Sequence, residues 1–175
     1  MARTRQLLLL RHAKSSWDDG SLSDFDRPLA PRGEKAAPRI GAEMARRNWL
    51  PDLALVSPAA RTRETWRLVS ADWPEPAPPV LFHEDLYEAS ADELLAESRL
   101  APDRVATLLI VGHNPGLEEF ARRLAGPGSD AKASALLGEK LPTGAFARFA
   151  VEGRWDKLQF GVARLTHCLR PKDLG

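Results

Sequence analysis

The sequence predicts an α/β fold with three layers, in which helices cover both faces of a mostly parallel central sheet. Apolar runs that do not alternate with polar residues indicate strands that are buried on both faces. Three runs have this character, at residues 6–11, 53–56 and 106–111, and residues 80–82 are a further strand candidate. Helical patterns separate the runs, and such an alternation of strands and helices is typical of a parallel sheet covered by helices.

The helical stretches are marked by apolar residues three and four positions apart, as amphipathic helices require. Residues 33–48, 59–69 and 117–124 show this spacing. Ser90 followed by Glu93 forms a capping box, which predicts the start of another helix.

Two strands are predicted near the end of the chain. They cover residues 145–151 and 157–165 and are joined around Gly153. With them, the pattern is that of one domain without internal repeats or an interdomain linker.

The connection between the first strand and the first helix is unusually long. It covers residues 13–32, whereas strand-to-helix loops usually take about 2–6 residues. Loops of this length are typical of lids over a binding site, and we predict a lid over the strand ends. Its aspartates, Asp24 among them, are interpreted as a solvated loop surface rather than as substrate-docking groups.

Length and composition exclude several classes of protein. The chain has 175 residues, 25 Lys and Arg against 24 Asp and Glu, and a single cysteine, Cys168. A net charge of +1 argues against a general nucleic-acid binder, and one cysteine excludes an internal disulfide or a Cys-rich zinc module. The leucine run at residues 7–10 is too short to span a bilayer, so we expect a cytoplasmic protein with no membrane partner.

Polar side chains follow the three buried strands directly. In open α/β sheets, ligands bind outside the carboxyl ends of the parallel strands, so these side chains are expected to face one crevice. The residues concerned are Arg11, His12, Lys14, Ser57, Arg61, His113 and Asn114.

Two dipeptides at these strand ends predict helix starts. Ser57 and Asn114 are favoured N-cap residues, and Pro58 and Pro115 suit the first helical position. Helix N-termini bind anions, and two arginines with two histidines describe a phosphate pocket. No carboxylate directly follows these strands to suggest a metal, and we expect no metal and no cofactor.

Such a pocket suits covalent phosphoryl transfer. One imidazole that is neutral at its reactive nitrogen attacks phosphorus, while the arginines and a second, cationic histidine stabilise the charge on the phosphoryl oxygens. A nearby carboxylic acid protonates the leaving group and then activates water.

The motifs that carry these residues resemble those of the histidine phosphatase, or phosphoglycerate mutase-like, superfamily. Residues 9–14 (LLRHAK) resemble its RHG motif, and residues 57–62, 86–88 and 111–115 lie where that family has its second arginine, its acid region and its second histidine. The start RHAKSSW, residues 24–29 and the GHNP segment are similar to the SixA-type phosphohistidine phosphatases.

The resemblance implies a single histidine phosphatase domain over residues 1–175, with His12 as the phosphorylated nucleophile. It implies that Arg11, Arg61 and His113 complete the phosphate pocket, with Ala13 in place of the family's glycine.

For the general acid, the resemblance points first to Glu88 in its Leu-x-Glu context, with Glu84 as the alternative. SixA-type members do not all keep a carboxylate there, which is consistent with a phosphoramidate leaving group that needs less acid. Lys14 and Asn114 are candidate substrate-binding residues.

The expected substrate is phosphohistidine in a signalling protein, because the chain is too short for the large cap insertions that enclose small substrates. The alternatives are a small phosphomonoester or phosphoanhydride substrate, and a non-catalytic protein that binds a phosphorylated partner. A metal-dependent hydrolase is ranked below them.

His83 is expected to be structural or exposed. His167 and Cys168 are neighbours on a strand and are not expected to form a catalytic dyad.

Overall fold

A six-stranded sheet runs through the computed structural model, which describes residues 4–174. The strands are β1 (Thr4–Arg11), β2 (Leu53–Val56), β3 (Val80–Phe82), β4 (Thr107–Gly112), β5 (Phe146–Glu152) and β6 (Arg164–Leu169). The helices are α1 (Pro31–Arg46), α2 (Ala60–Ser70), α3 (Ala91–Arg99), α4 (Gly116–Leu124) and α5 (Ala131–Glu139). Four short 3₁₀ turns cover Asp24–Asp26, Glu84–Leu86, Trp155–Lys157 and Pro171–Asp173.

The strand order is β3-β2-β4-β1-β5-β6, and the neighbours among β3, β2, β4 and β1 pair in parallel. β1 lies between β4, to which it is parallel, and β5, to which it is antiparallel; β6 then pairs antiparallel to β5. The carboxyl ends of β1, β2 and β4 therefore lie at one edge of the sheet, where the predicted crevice is expected.

The leucines of β1 divide between two hydrophobic cores, one on each face of the sheet. Because successive side chains of a strand point to opposite faces, Leu7 and Leu9 pack with α3, α4 and α5, whereas Leu8 and Leu10 pack with α1 and α2. All four leucines are fully buried, and each such burial contributes about 1.5–3 kcal/mol. The three-layer α/β fold predicted from the non-alternating runs is confirmed.

The end of the chain departs from the prediction. The predicted strand at residues 157–165 is wrong: the last strand begins only at Arg164, after the 3₁₀ turn Trp155–Lys157. Trp155 is buried, and its Nε1 donates a hydrogen bond to the Val105 carbonyl, while Leu158 is buried in the core. The apolar residues that suggested a strand are therefore buried by the packing of Trp155 and Leu158 in the core, and not by strand pairing.

Helix α5 was not predicted from the sequence. The Asp130 side chain accepts a hydrogen bond from the Ala133 backbone N–H and so caps its first turn. Only Ala133 and Leu137 of this helix are buried, which is too sparse a stripe to stand out by periodicity.

No helix among residues 4–174 combines the length and apolar character that crossing a bilayer requires.

Helices α1 and α2 touch at Gly41. A Cβ atom placed there would lie 1.9 Å from the Val69 carbonyl oxygen, and the Gly41 carbonyl accepts a hydrogen bond from Trp73 Nε1. We expect Gly41→Ala to lower the free energy of unfolding by about 1–3 kcal/mol, because the two backbones must move apart.

The matched control is Gly138→Ala in α5, where an added Cβ meets nothing within 4 Å. It is expected to raise stability by up to about 1 kcal/mol through helix propensity. Urea unfolding of both variants checks the pair, and equal effects at the two sites would contradict the close packing at Gly41.

Candidate active site

The residues that follow β1, β2 and β4 line one pocket of about 630 Å³. Arg11, His12, Arg61 and His113, predicted from the sequence to converge, all lie on its wall. The lid residues Ser15, Trp17, Asp24 and Arg27 close one side, and Glu88, Ala89 and Ser90 form another.

His12 is held at the end of β1 by its backbone and its ring. Its backbone N–H donates to the Gly112 carbonyl of β4, and its carbonyl accepts from Gly144. Its Nδ1 lies 2.7 Å from the Ala13 carbonyl oxygen. Because a carbonyl can only accept, Nδ1 carries the proton, and Nε2 of the neutral ring has a free lone pair.

The surroundings keep His12 neutral. Only 6% of the residue is exposed, and burial lowers its pKa to about 3, with smaller contributions from the positive charges of Arg61 and Arg11. A ring that is unprotonated at neutral pH is the form in which a histidine is a nucleophile.

His113 faces His12 across the pocket, with the ring centroids 5.5 Å apart. Its Nε2 lies 2.7 Å from Ser57 Oγ, whereas its buried Nδ1 has no partner among the described residues. Burial first, and then the charge of Arg61, lower its pKa to about 4. The cationic second histidine expected from the sequence therefore requires the negative charge of a bound phosphoryl group, which would raise the pKa again.

Arg11 and Arg61 each donate some hydrogen bonds within the protein and keep one buried N–H donor without a partner among the described residues. Arg11 Nη1 donates to the Leu141 carbonyl, and Arg61 donates through Nη1 and Nη2 to the carbonyl and the carboxylate of Asp24. The buried Nε atoms of both arginines have no partner among residues 4–174. Buried donors without a partner are costly, and an anion that accepted from them would remove that cost.

Asp24 has a role that the sequence did not reveal. Its carboxylate accepts hydrogen bonds from Tyr87 Oη at 2.6 Å and from Arg61 at 3.0 Å. The hydrogen bond from Tyr87, together with those from Arg61 and Arg27, lowers its pKa to about 2. Asp24 is exposed, as interpreted from the sequence, but its carboxylate also holds the lid against an arginine of the pocket.

The segment from residue 13 to residue 32 is folded over the strand ends. Ser15 and Leu29 form an isolated antiparallel bridge, and Arg27 Nη1 donates to Ser15 Oγ. The guanidinium of Arg27 lies 3.4 Å from the centre of the Trp17 ring, which is 71% exposed at the pocket rim. The predicted lid thus forms part of the pocket wall.

The helix starts at the strand ends differ from the prediction. α2 begins at Ala60 with Ala59 as N-cap, and α4 begins at Gly116 with Pro115 as N-cap. The prediction of Ser57 and Asn114 as N-cap residues is wrong, because Ala59 and Pro115 hold those positions, although Asn114 Oδ1 still accepts from a backbone N–H in the first turn of α4. Ser57 Oγ contacts His113.

Asn114 braces the pocket. Its Nδ2 donates to Glu118 and to the Leu141 carbonyl, and its Oδ1 accepts from the Glu118 backbone N–H. Since Leu141 also accepts from Arg11, Asn114 ties the start of α4 to the arginine of β1. Both amide hydrogens of Asn114 are donated within the protein, so its contacts position the start of α4 relative to Arg11.

The remaining candidates divide by location. Glu88 lines the pocket and has a left-handed backbone with φ 57°, and Lys14 is exposed at the rim. Glu84 is not among the residues that line the pocket. The Ala13 side chain is fully buried in the core and does not narrow the pocket.

The other histidines and the cysteine lie outside the pocket. His83 is exposed. His167 packs on the Trp49 ring at 4.6 Å, while Cys168 is buried and burial raises its thiol pKa to about 11. Within the part of the chain that the structure describes, the pocket holds no group of three His, Cys, Asp or Glu side chains close enough to share a metal ion.

The fold and the site define a class of α/β protein whose pocket holds a neutral histidine beside two arginines. These are the groups that phosphoryl transfer through a histidine requires. Residues 7–101 match the family model of the histidine phosphatase superfamily (branch 1). The chain belongs to this superfamily, and the resemblance stated from its motifs is confirmed. The matched residues include His12, Arg61 and Glu88, whereas His113 lies beyond them.

Comparisons with individual proteins agree with this assignment. An uncharacterized protein of Mycobacterium tuberculosis is 37% identical over 158 residues, which cover 90% of this chain and 96% of that protein. The structure of "Putative Phosphohistidine Phosphatase SixA" from Nakamurella multipartitia is 30% identical, with a TM-score of 0.83 and 96% of each chain covered. The structure of the "putative phosphohistidine phosphatase SixA" from Agrobacterium tumefaciens is 29% identical, with a TM-score of 0.79, and the match covers 95% of this chain and 98% of that one.

The two buried histidines predict a pH dependence of stability. Their folded-state pKa values of about 3 and about 4 lie below the unfolded value of about 6.5. The unfolded chain therefore binds more protons below that value, and stability present at pH 7 is lost as the pH falls from about 6.5. Each histidine contributes a slope of up to about 1.4 kcal/mol per pH unit.

Urea unfolding between pH 7 and pH 5 checks this dependence. His12→Asn is expected to remove the slope of one histidine. A wild-type slope that His12→Asn does not alter would contradict the burial of a neutral ring.

Proposed function

We propose that this phosphatase works without a metal ion, through a phosphohistidine formed at His12, and that it removes the phosphoryl group from phosphohistidine in proteins. One observation carries the proposal. The Ala13 carbonyl accepts the Nδ1 proton of His12, so that Nε2 offers a lone pair inside a pocket lined by two arginines and a second histidine.

The reaction proceeds in two displacements at phosphorus. His12 Nε2 attacks phosphorus and a P–Nε2 bond forms, while the P–N bond of the substrate breaks. The substrate imidazole, already protonated at its other ring nitrogen, takes the electron pair of that bond and leaves as a neutral ring. Arg11, Arg61 and His113 stabilise the charge on the phosphoryl oxygens. Water then attacks phosphorus, the P–Nε2 bond breaks, and inorganic phosphate leaves a neutral His12.

Two observations support a protein substrate. The solved structures that are 30% and 29% identical are both named "putative phosphohistidine phosphatase SixA". The exposed Trp17 at the rim offers an aromatic surface to a partner that presents its phosphorylated side chain. Aromatic side chains are enriched where proteins contact each other.

His12→Ala tests the covalent step. It is expected to abolish phosphate release from a phosphohistidine protein, because the variant lacks the Nε2 lone pair that attacks phosphorus in the proposed mechanism. The measurements are phosphate release in the presence of a chelator and the acid-labile labelling of the protein with ³²P. Retained turnover in His12→Ala would refute the mechanism, and loss of wild-type turnover with the chelator would refute metal independence.

A second candidate function is hydrolysis of small phosphomonoesters, and the position of Glu88 favours it. An alkoxide is a poor leaving group and needs a general acid, whereas the protonated imidazole of phosphohistidine leaves readily. Glu88 lines the pocket and is available to act as that acid.

Glu88→Gln separates the two candidates. With phosphohistidine as the substrate, kcat is expected to change less than threefold, whereas loss of a general acid lowers kcat on phosphomonoesters by about 10²–10⁴-fold. Glu84→Gln, outside the pocket, is the control. Higher wild-type kcat/KM on a panel of sugar phosphates and nucleotides than on a phosphohistidine protein would assign the protein to small substrates.

A further inference from the structure

A second depression of about 410 Å³ adjoins the phosphate pocket. Lys14 and Thr143 line both depressions, so the two share a wall. This basic groove is formed by four separate parts of the chain: the start of the lid, the start of α1, the connection from α5 to β5, and the residues after β6. Its lining residues are Lys14, Arg32, Ala36, Glu139, Lys140, Pro142, Thr143, Arg170, Pro171 and Lys172.

The groove is more positively charged than the protein as a whole. Five cationic side chains and one carboxylate line it, whereas the whole chain has a net charge of +1. Arg170 is compensated, since it pairs with Asp173 at 2.9 Å and lies 3.9 Å from Glu139. Within residues 4–174, Lys14, Arg32 and Lys140 form no ion pair.

The position of Arg32 is electrostatically unfavourable for the folded protein alone. It lies in the first turn of α1, where the helix dipole favours anions and disfavours cations. A cation that opposes the dipole and has no carboxylate partner gains stabilisation when an external anion binds beside it.

The groove is fixed relative to the phosphate pocket. A Cβ at Gly33 would lie 2.2 Å from the Lys14 carbonyl oxygen, so α1 packs directly on the backbone of the lid. The same carbonyl accepts a hydrogen bond from the Ala30 N–H at 2.8 Å. An anion in the groove would therefore be held at a set position beside the phosphoryl group.

We propose that the basic groove is a docking site for an acidic segment of the phosphorylated protein substrate, with carboxylates next to the phosphorylated residue. This inference rests on the proposed function and adds a specificity to it. The cations are distributed over four parts of the chain rather than gathered around one point, which fits several carboxylates on an extended chain. Ala36, Pro142 and Pro171 provide apolar surface between them for the aliphatic parts of such a segment.

Matched phosphohistidine peptides test the groove. One peptide carries Glu and Asp beside the phosphohistidine, and the other carries Gln and Asn at the same positions. Wild-type kcat/KM is expected to be about tenfold higher for the acidic peptide, as two or three surface ion pairs would give. The preference should decrease as the salt concentration rises.

Arg32→Glu combined with Lys140→Glu is expected to abolish or reverse the preference, while kcat on p-nitrophenyl phosphate stays unchanged. Arg67→Glu combined with Lys157→Glu is the control, because it changes the net charge equally at exposed positions outside the groove. The control should keep the wild-type preference. Three results would each overturn the proposal. The wild type could show no preference for the acidic peptide, the groove variant could keep that preference, or the control variant could lose it equally.

A binding measurement separates this proposal from the proposed function. The unphosphorylated acidic peptide, carrying a fluorophore, should bind the wild type more tightly than the groove variant, even if no peptide releases phosphate. If no peptide released phosphate but the wild type still bound the acidic peptide more tightly than the groove variant did, the phosphatase proposal would be refuted and the docking site in the groove supported. If the groove variant loses kcat/KM only on small bisphosphates and not on acidic peptides, the groove binds a second phosphate and the proposal is wrong.

Discussion

The hydrogen bond between His12 Nδ1 and the Ala13 carbonyl is the interaction on which the active site depends. It fixes the tautomer, so that Nε2 has the free lone pair, and it fixes the plane of the ring. This bond is possible because β1 is held between β4 and β5 and ends at this point. The central position of a strand of buried leucines is therefore what leaves the Nε2 lone pair of His12 free in the pocket.

The pocket places two arginines next to two uncharged histidines. The same burial that removes the rings from water keeps both rings uncharged. Asp24 offsets part of the charge by binding Arg61 from the lid, and Tyr87 holds the Asp24 carboxylate in place. In the proposed reaction, an arriving phosphoryl group would meet donors that are already oriented, which would lower the cost of reorganisation.

Much of the fold and the centre of the site could be predicted from local patterns. Non-alternating apolar runs identified β1, β2 and β4, because strands buried on both faces need apolar side chains at every position. Since parallel strands end at one edge, the same runs brought Arg11, His12 and His113 together. The strand after Gly153 was misplaced and α5 was missed, because Trp155 and the few buried residues of α5 gain their burial from distant partners.

The sequence by itself determined the fold class and the convergence of four polar residues at one pocket, since these follow from periodicity and from the positions of strand ends. Only the tertiary structure decided which groups meet them: Ser57 at His113, Asp24 at Arg61, and the Leu141 carbonyl between Arg11 and Asn114. It also gathered Lys14, Arg32 and Lys140 into one groove. These contacts join residues far apart in the chain, and no local pattern contains the packing of the lid and the helices that sets their distances.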